Sequence, residues 1–487
     1  MSKTLTDISS NFLNRVVVAV INLIAIPFLL ENLGDFEFGV FSLYNILIMF
    51  FVMSDFGLSK SGVRFITLYF NKPKLKEVYS SFIFLTLLAC LFLVTLGFFL
   101  SNQIIGVFGL DTIENYKTIY YLTIVIGCML IIRGFFISIV FSFQNYKFYN
   151  WLNIIIELIR WSSTIYVSFL DNPLIWIFLV QAATHVIQNI ILGIFSVKLI
   201  KIKSISIKIY KKTIQEILHF SSQIVVSDLF QKVMTYSDKI IVSILGSISG
   251  LSFYYIAFQL ISKLYEIPGN ILLIYYTKFG VSYANKNDKL LLKDYQDVTR
   301  ITLILVLPIL MNLFFASEFI LDLWLNSDSI NIISDILKIF CLGALAGCLT
   351  LPSLSLSNAI GKPKFVVFNN MFTSVLLLSL NIIFIKIYGI YGAAFAWSIV
   401  QFFPLLFLTI KLSNFLKFNY QNFILYQIIG PFLKMGGTYL ICYFLNIFFI
   451  KNIFIFLALS NILLLFTIYF YVLNNYERNL LKKLIKK

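Results

Sequence analysis

Residues 79–100 read YSSFIFLTLLACLFLVTLGFFL, twenty-two consecutive positions without a charged side chain. As an α-helix this segment is about 33 Å long, enough to cross the roughly 30 Å hydrocarbon core of a bilayer. The same kind of run recurs on both sides of it. Apolar windows separated by polar breaks fall at 11–31, 37–57, 79–100, 116–140, 151–170, 174–199, 221–245, 251–276, 300–321, 331–357, 364–385, 389–411, 424–448 and 450–473. The reading is an all-α, polytopic membrane protein of about fourteen transmembrane helices. Composition agrees: 60% of the 487 residues are hydrophobic, 12% are charged, and the mean hydropathy is +0.91. Soluble domains run at about 45–50% apolar and about 25% charged. No cleavable signal is expected, because the first span carries Arg15 at its start and lacks a small-residue cleavage site.

The net charge of +16 raises the question of nucleic acid, and its distribution answers it. The lysines sit in short segments between apolar spans, which is how topology is encoded. With the N-terminus inside, the cytoplasmic connections hold Lys60, Arg64, Lys72, Lys74 and Lys76, then Lys147, then the run Lys198, Lys201, Lys203, Lys208, Lys211 and Lys212. Later cytoplasmic connections continue the pattern from Lys278 to Arg300 and at Lys362, Lys364, Lys411 and Lys417, as does the tail from Arg478 to Lys487. The opposite face has Lys117, Lys386 and Lys451 among many acids. Both termini are therefore expected to be cytoplasmic. The external loops are short and leave no room for a soluble catalytic domain. Cys90, Cys128, Cys341, Cys348 and Cys442 all fall in apolar stretches, without disulfide or metal spacing.

A faint duplication is present. Leu33-Gly34 and Gly39 match Leu245-Gly246 and Gly250, while Lys147-Phe148 and Asn153 match Lys364-Phe365 and Asn370. The two offsets are 212 and 217 positions. Six helices per repeat predict two lobes of like orientation, related by an axis along the membrane normal, around a central cavity. The expected organisation is an N-terminal six-helix lobe (1–200), a cytoplasmic linker on anionic headgroups (201–220), a second six-helix lobe (221–411), and two additional helices with a basic tail (412–487).

Charges inside the spans are costly, about 2.5–3.5 kcal/mol each at a helix centre on insertion scales. Arg15, Arg133, Arg160, Lys232, Lys239, Lys263, Lys338 and Lys434 remain there or at span edges, with Asp55, Glu157, Asp228, Asp238, Glu266 and Asp335. Asp228, Lys232, Thr235 and Lys239 share one face by their 4-3-4 spacing, and Asp228 with Lys232 is an i,i+4 pair able to neutralise itself. Lys239 and Asp238 are neighbours expected to point different ways. Lys263 and Glu266 precede Pro268-Gly269, a candidate hinge. Two readings stay open: ion pairs that lock helices together, or a cationic cavity for an anionic substrate with carboxylates for ion coupling. On the second reading, Arg15, Arg64, Arg133, Lys232, Lys239 and Lys263 bind substrate, and Asp55, Asp228, Asp238 and Glu266 serve coupling. His185 reads as a hydrogen-bonded core residue.

Several motifs carry a family resemblance. They are Leu33-Gly34, Phe38-Gly39, Phe41-Ser42-Leu43, Asp55-Phe56-Gly57-Leu58 and Gly62-Val63-Arg64-Phe65, then Ser237-Asp238-Lys239-Ile240-Ile241 and Tyr254-Tyr255-Ile256-Ala257. Asn358-Ala359-Ile360-Gly361-Lys362-Pro363-Lys364-Phe365 and Tyr391-Gly392-Ala393-Ala394 follow in order. Together they resemble the Wzx-type O-antigen transporters, polysaccharide-biosynthesis flippases of the multidrug/oligosaccharidyl-lipid/polysaccharide exporter superfamily. The resemblance implies a transporter and not an enzyme, with an undecaprenyl-diphosphate-linked oligosaccharide as substrate and alternating access driven by H+ or Na+, without a metal or other cofactor. Membrane lipids and the polysaccharide polymerase machinery are the implied partners, and nucleic acid is not one. It also implies that basic residues on helices one, two, seven and eight face the cavity, here Arg15, Arg64, Lys232, Lys239 and Lys263. A peptidoglycan-precursor flippase and a drug/cation antiporter are neighbouring readings. A membrane polymerase or glycosyltransferase would need a large loop bearing catalytic acids, and none is found.

Overall fold

The computed structural model describes residues 2–110, 114–200, 209–447 and 452–472, and its regular elements among them are all helical. The basic tail and Lys201, Lys203 and Lys208 lie outside the described residues. Among the described residues, ten helical segments are long and apolar enough to cross a membrane. The difference from about fourteen has physical causes. Spans 11–31 and 37–57 are joined in one run, kinked at Gly34 (φ 71°, ψ 174°), where only glycine is unstrained. The spans expected at 151–170 and 221–245 are helical but carry embedded charges, and that at 251–276 is divided at Tyr265 between helices of 17 and 19 residues.

Large apolar side chains face outward throughout; Phe99 is 79% exposed and Phe454 66%. In water that surface would be a large liability, so its solvent is lipid. This is a multi-pass membrane protein.

The chain packs as two compact units, residues 1–255 and 256–487. The first contains α1 (Ser2–Phe51), α2 (Leu58–Leu68), α3 (Leu75–Phe99), α4 (Ser101–Val107), α5 (Glu114–Ser142), α6 (Tyr146–Val167), α7 (Pro173–Ile200) and α8 (Lys211–Leu245). Helix α5 is the hub, lying against α1, α2, α3 and α7, while α1 packs along α6. Two glycines allow the closest of these approaches. A Cβ on Gly62 would lie 2.5 Å from the Ser138 hydroxyl, and one on Gly134 would lie 2.1 Å from that of Ser59. Helix α2 is thus seated directly on α5.

Helix α9 (Ile248–Leu264) runs from the first unit into the second. The second continues with α10 (Glu266–Ala284), α11 (Asp288–Phe315), α12 (Ser317–Trp324), α13 (Ile330–Ala359), α14 (Pro363–Tyr388), α15 (Ile390–Val400), α16 (Phe402–Leu416), α17 (Tyr420–Phe423), α18 (Gly430–Leu445) and α19 (Ile453–Thr467). The order of elements repeats along the chain: long helix, short helix, then three long spans, as α3–α7 and again as α11–α16, where α15 and α16 together make the third span, Ile390–Leu416. Helices α18 and α19, beyond the repeat, share an apolar core with α11, in which Tyr439, Cys442, Phe456 and Leu464 meet Leu303 and Leu307.

The boundary expected at 201–220 followed the repeat. The division by packing, after residue 255, is a separate one, in which α8 lies against α1, α2 and α3.

Candidate functional site

The second expected span is interrupted. Helix α1 ends at Phe51, a 3-10 turn covers Val52–Asp55, and Phe56 (φ 48°) and Gly57 (φ 73°) are both left-handed before α2 starts at Leu58. A left-handed residue other than glycine costs roughly 1–2 kcal/mol, and backbone groups without partners are costly in hydrocarbon. The break is supported on both sides. Asp55 Oδ2 accepts the Ser59 backbone N–H at 3.1 Å, closing the start of α2. Met49 is among the last four residues of α1, whose carbonyls lack helical partners, and its oxygen accepts from Lys232 Nζ at 2.9 Å.

Helix α8 supplies that lysine and runs antiparallel to the broken helix. Lys60 Nζ reaches both oxygens of Asp228, at 2.7 and 2.8 Å. Ser221 donates to Ser61 at 2.9 Å, and the Arg64 guanidinium lies 4.0 Å above the Phe220 ring, a cation–π contact. Lys74 pairs with Glu216 at 2.9 Å. The Glu216 hydrogen bond, and then that to Tyr69, raise the Lys74 ammonium above the usual lysine range. Asp228 and Lys232 stand close enough to feel each other's charge but make no direct ion pair. Each is engaged with the broken helix, one on either side of the break.

Lys239 is placed differently. It is 2% exposed, with its ammonium 3.0 Å from both oxygens of Asp238, which also accepts from Tyr254 at 2.7 Å. Neighbours on a helix do start apart, but the long lysine chain folds back; its Nζ also donates to the Thr235 carbonyl. The pair is buried, and Tyr254 ties it to α9.

Arg133 heads a polar ladder in the same unit. Its Nη1 donates to Gln188 at 3.1 Å, Gln188 to Asn153 at 3.3 Å, Asn153 to Asn14 at 3.0 Å, and Asn14 to Asn150 at 3.3 Å. Beside it Arg160 pairs with Glu157 at 3.0 Å and meets Thr184 and His185. These groups are mostly buried and hold α1, α5, α6 and α7 together. Arg15 is exposed on α1.

In the second unit Lys263 and Glu266 stand 3.8 Å apart across the junction of α9 and α10. Pro268 and Gly269 lie in the first turn of α10, and a Cβ on Gly269 would meet open space. Gly57 and Gly269 are 212 positions apart, as are Gly34 and Gly246. Interruptions at corresponding places in two repeats are the pattern expected around a transport site. That offset is the signal that would have drawn attention to the break, and with it to Lys60, which charge counting had assigned to topology alone. Among the described residues no cluster suits a metal ion.

A family described as "Polysaccharide biosynthesis protein" matches residues 32–333. The chain belongs to this family. A protein of Shigella flexneri, provisionally named an O-antigen transporter, is 23% identical over 402 residues, covering 78% of this chain and 91% of that one. The lipid II flippase MurJ in an inward closed conformation superposes with a TM-score of 0.74 at 20% identity, over 96% of this chain and 99% of that one. An inward-facing multidrug transporter of the MATE family, in the MOP superfamily, gives 0.69 at 13%, over 83% and 98%. At such identities the two structures establish a shared fold.

The region matched to the polysaccharide biosynthesis family contains the whole contact between α2 and α8. It reaches from before the break at Phe56-Gly57 to beyond Lys263 and Pro268.

Proposed function

We propose that this chain is a flippase carrying undecaprenyl-diphosphate-linked oligosaccharide, an O-antigen or capsule-type repeat unit, from the cytoplasmic to the outer leaflet of the bacterial inner membrane. The observation that carries the reading is the group Lys60, Arg64 and Lys232 beside the break between α1 and α2. A diphosphate carries its charge on oxygens that charge-assisted hydrogen bonds from amines and guanidinium groups satisfy. The lipid tail stays in the bilayer, so only the head group needs a polar path. Family membership and the Shigella relative's name support the polysaccharide class.

Transport proceeds by alternating access and is coupled to H+ or Na+, with Asp55 and Asp228 the carboxylates nearest these cations and Glu266 a further candidate; both termini are cytoplasmic. Asp238, held by Lys239 and Tyr254, is better suited to structure. The polymerase machinery that lengthens the polysaccharide is the partner outside. The likeness to MurJ favours a second reading, a peptidoglycan-precursor flippase, which needs the same diphosphate chemistry with a different sugar.

The test is complementation of a strain lacking its own O-antigen flippase. The wild-type chain should restore surface polysaccharide, and Lys232→Ala or Arg64→Ala should not, with each variant present in the membrane at normal level. Restoration by both variants would remove these cations from the mechanism. Rescue only of a strain lacking its peptidoglycan-precursor flippase would select the second reading.

A further inference from the structure

One turn of α8 grips the broken helix on both sides of the break. Upstream, Lys232 holds the Met49 carbonyl; downstream, Asp228 holds the Lys60 ammonium. The two contacts come from residues four apart on one rigid helix, so together they fix the angle at which the α1 end meets α2. Helix α2 cannot readily adjust in their place, because its Gly62 and Ser59 are seated against Ser138 and Gly134 of α5. Any change of angle therefore falls on residues 52–57, which hold the 3-10 turn and the two left-handed residues.

We propose that Asp228 and Lys232 form a clamp on this break which the phosphate groups of the substrate open. The inference rests on the flippase reading above. Asp228 is the resident anion on Lys60, and a diphosphate offers that ammonium the same kind of oxygen with more charge. Lys232 in its closed position spends its ammonium on a neutral carbonyl, a weaker partner than a phosphate oxygen. Head-group binding thus withdraws both contacts and lets residues 52–57 reorient, linking occupancy of the site to the shape of the helix. By linkage, the clamp weakens binding by the same factor that binding weakens the clamp.

Two consequences separate a clamp from ordinary packing. Removing the competing carboxylate in Asp228→Asn should tighten binding of undecaprenyl diphosphate, by roughly tenfold if the coupling is of the usual size. The same variant should move the break without ligand. The experiment uses full-length protein with its five cysteines replaced and spin labels at Phe36→Cys and Leu68→Cys, both exposed, on either side of the break. Inter-label distances are recorded with undecaprenyl diphosphate and with the neutral alcohol undecaprenol, and binding of each is measured separately by native mass spectrometry.

The diphosphate, and not the alcohol, should shift the wild-type distance. Asp228→Asn and Lys232→Gln should shift it without ligand, and the exchange Lys60→Asp with Asp228→Lys should restore it. An unchanged distance in the single variants, or diphosphate binding without a shift in the wild type, would overturn the clamp while leaving the flippase reading in place. No binding of the diphosphate lipid, with the variants still shifted, would overturn the flippase reading and with it the release by substrate.

Discussion

Lys60 and Asp228, 168 positions apart, meet through a two-oxygen contact at 2.7 and 2.8 Å. The Lys60 side chain is 62% exposed, and exposed ion pairs contribute about 0–1 kcal/mol. Asp228→Asn should therefore leave thermal stability in detergent nearly unchanged. Its effect should appear in transport, measured as restoration of surface polysaccharide, because the clamp no longer resets after release. A large fall in stability together with normal transport would show that the pair is merely structural.

Asp238, Lys239 and Tyr254 should behave in the opposite way. Asp238 is fully buried and Lys239 nearly so. Lys239→Met leaves a carboxylate uncompensated, a change that typically costs 3–5 kcal/mol, whereas replacing both partners is often far milder. Yield and thermal stability should drop sharply in Lys239→Met and recover in part in Lys239→Met with Asp238→Asn. Normal folding of the single variant, with transport lost, would return Lys239 to the substrate path.

Gln188→Leu removes the link between Arg133 and Asn153. Both are left short of a partner in the lobe interior, at a cost of about 1–3 kcal/mol per buried group. The expected result is a lower unfolding temperature, read by the loss of folded protein on heating in detergent. Unaltered stability would mean that water or neighbouring groups already serve these side chains.

Gly39 meets the backbone at Ile248, where an added Cβ would lie 2.1 Å from the Ile248 carbonyl oxygen. A backbone atom cannot rotate aside, so Gly39→Ala should destabilise by about 1–3 kcal/mol, the usual cost of overpacking. Thermal inactivation of the purified variant measures it.

Much of the fold was legible because burial in lipid asks one thing of a sequence, a long apolar helix, and runs such as 79–100 satisfy it without ambiguity. The repeat at Gly34 and Gly246 was legible for a related reason: glycine is required where the chain turns left-handed or backbones touch. What could not be read is which helix each charge faces. Asp228 and Lys232 looked like partners because local spacing is all a sequence displays, yet their contacts lie on residues 168 and 183 positions away. Lys239 looked free of Asp238 because helical direction was considered without the reach of a lysine chain. Lys60 reads as a topology signal in the sequence, since a lysine at a span edge serves equally as anchor or ligand. The interruption between α9 and α10 falls at Tyr265, three residues before Pro268, because a proline has no N–H to offer the carbonyl four positions back.

The most direct measurement of the central claim uses the purified protein in liposomes, with a fluorescent undecaprenyl-diphosphate oligosaccharide placed in both leaflets. An ion gradient is imposed, and a membrane-impermeant quencher is added outside. The wild-type chain should move the lipid between leaflets, and Lys232→Ala and Arg64→Ala should abolish that movement while remaining folded. A wild-type protein that leaves the lipid where it was, or variants that move it as fast as wild type, would contradict the account.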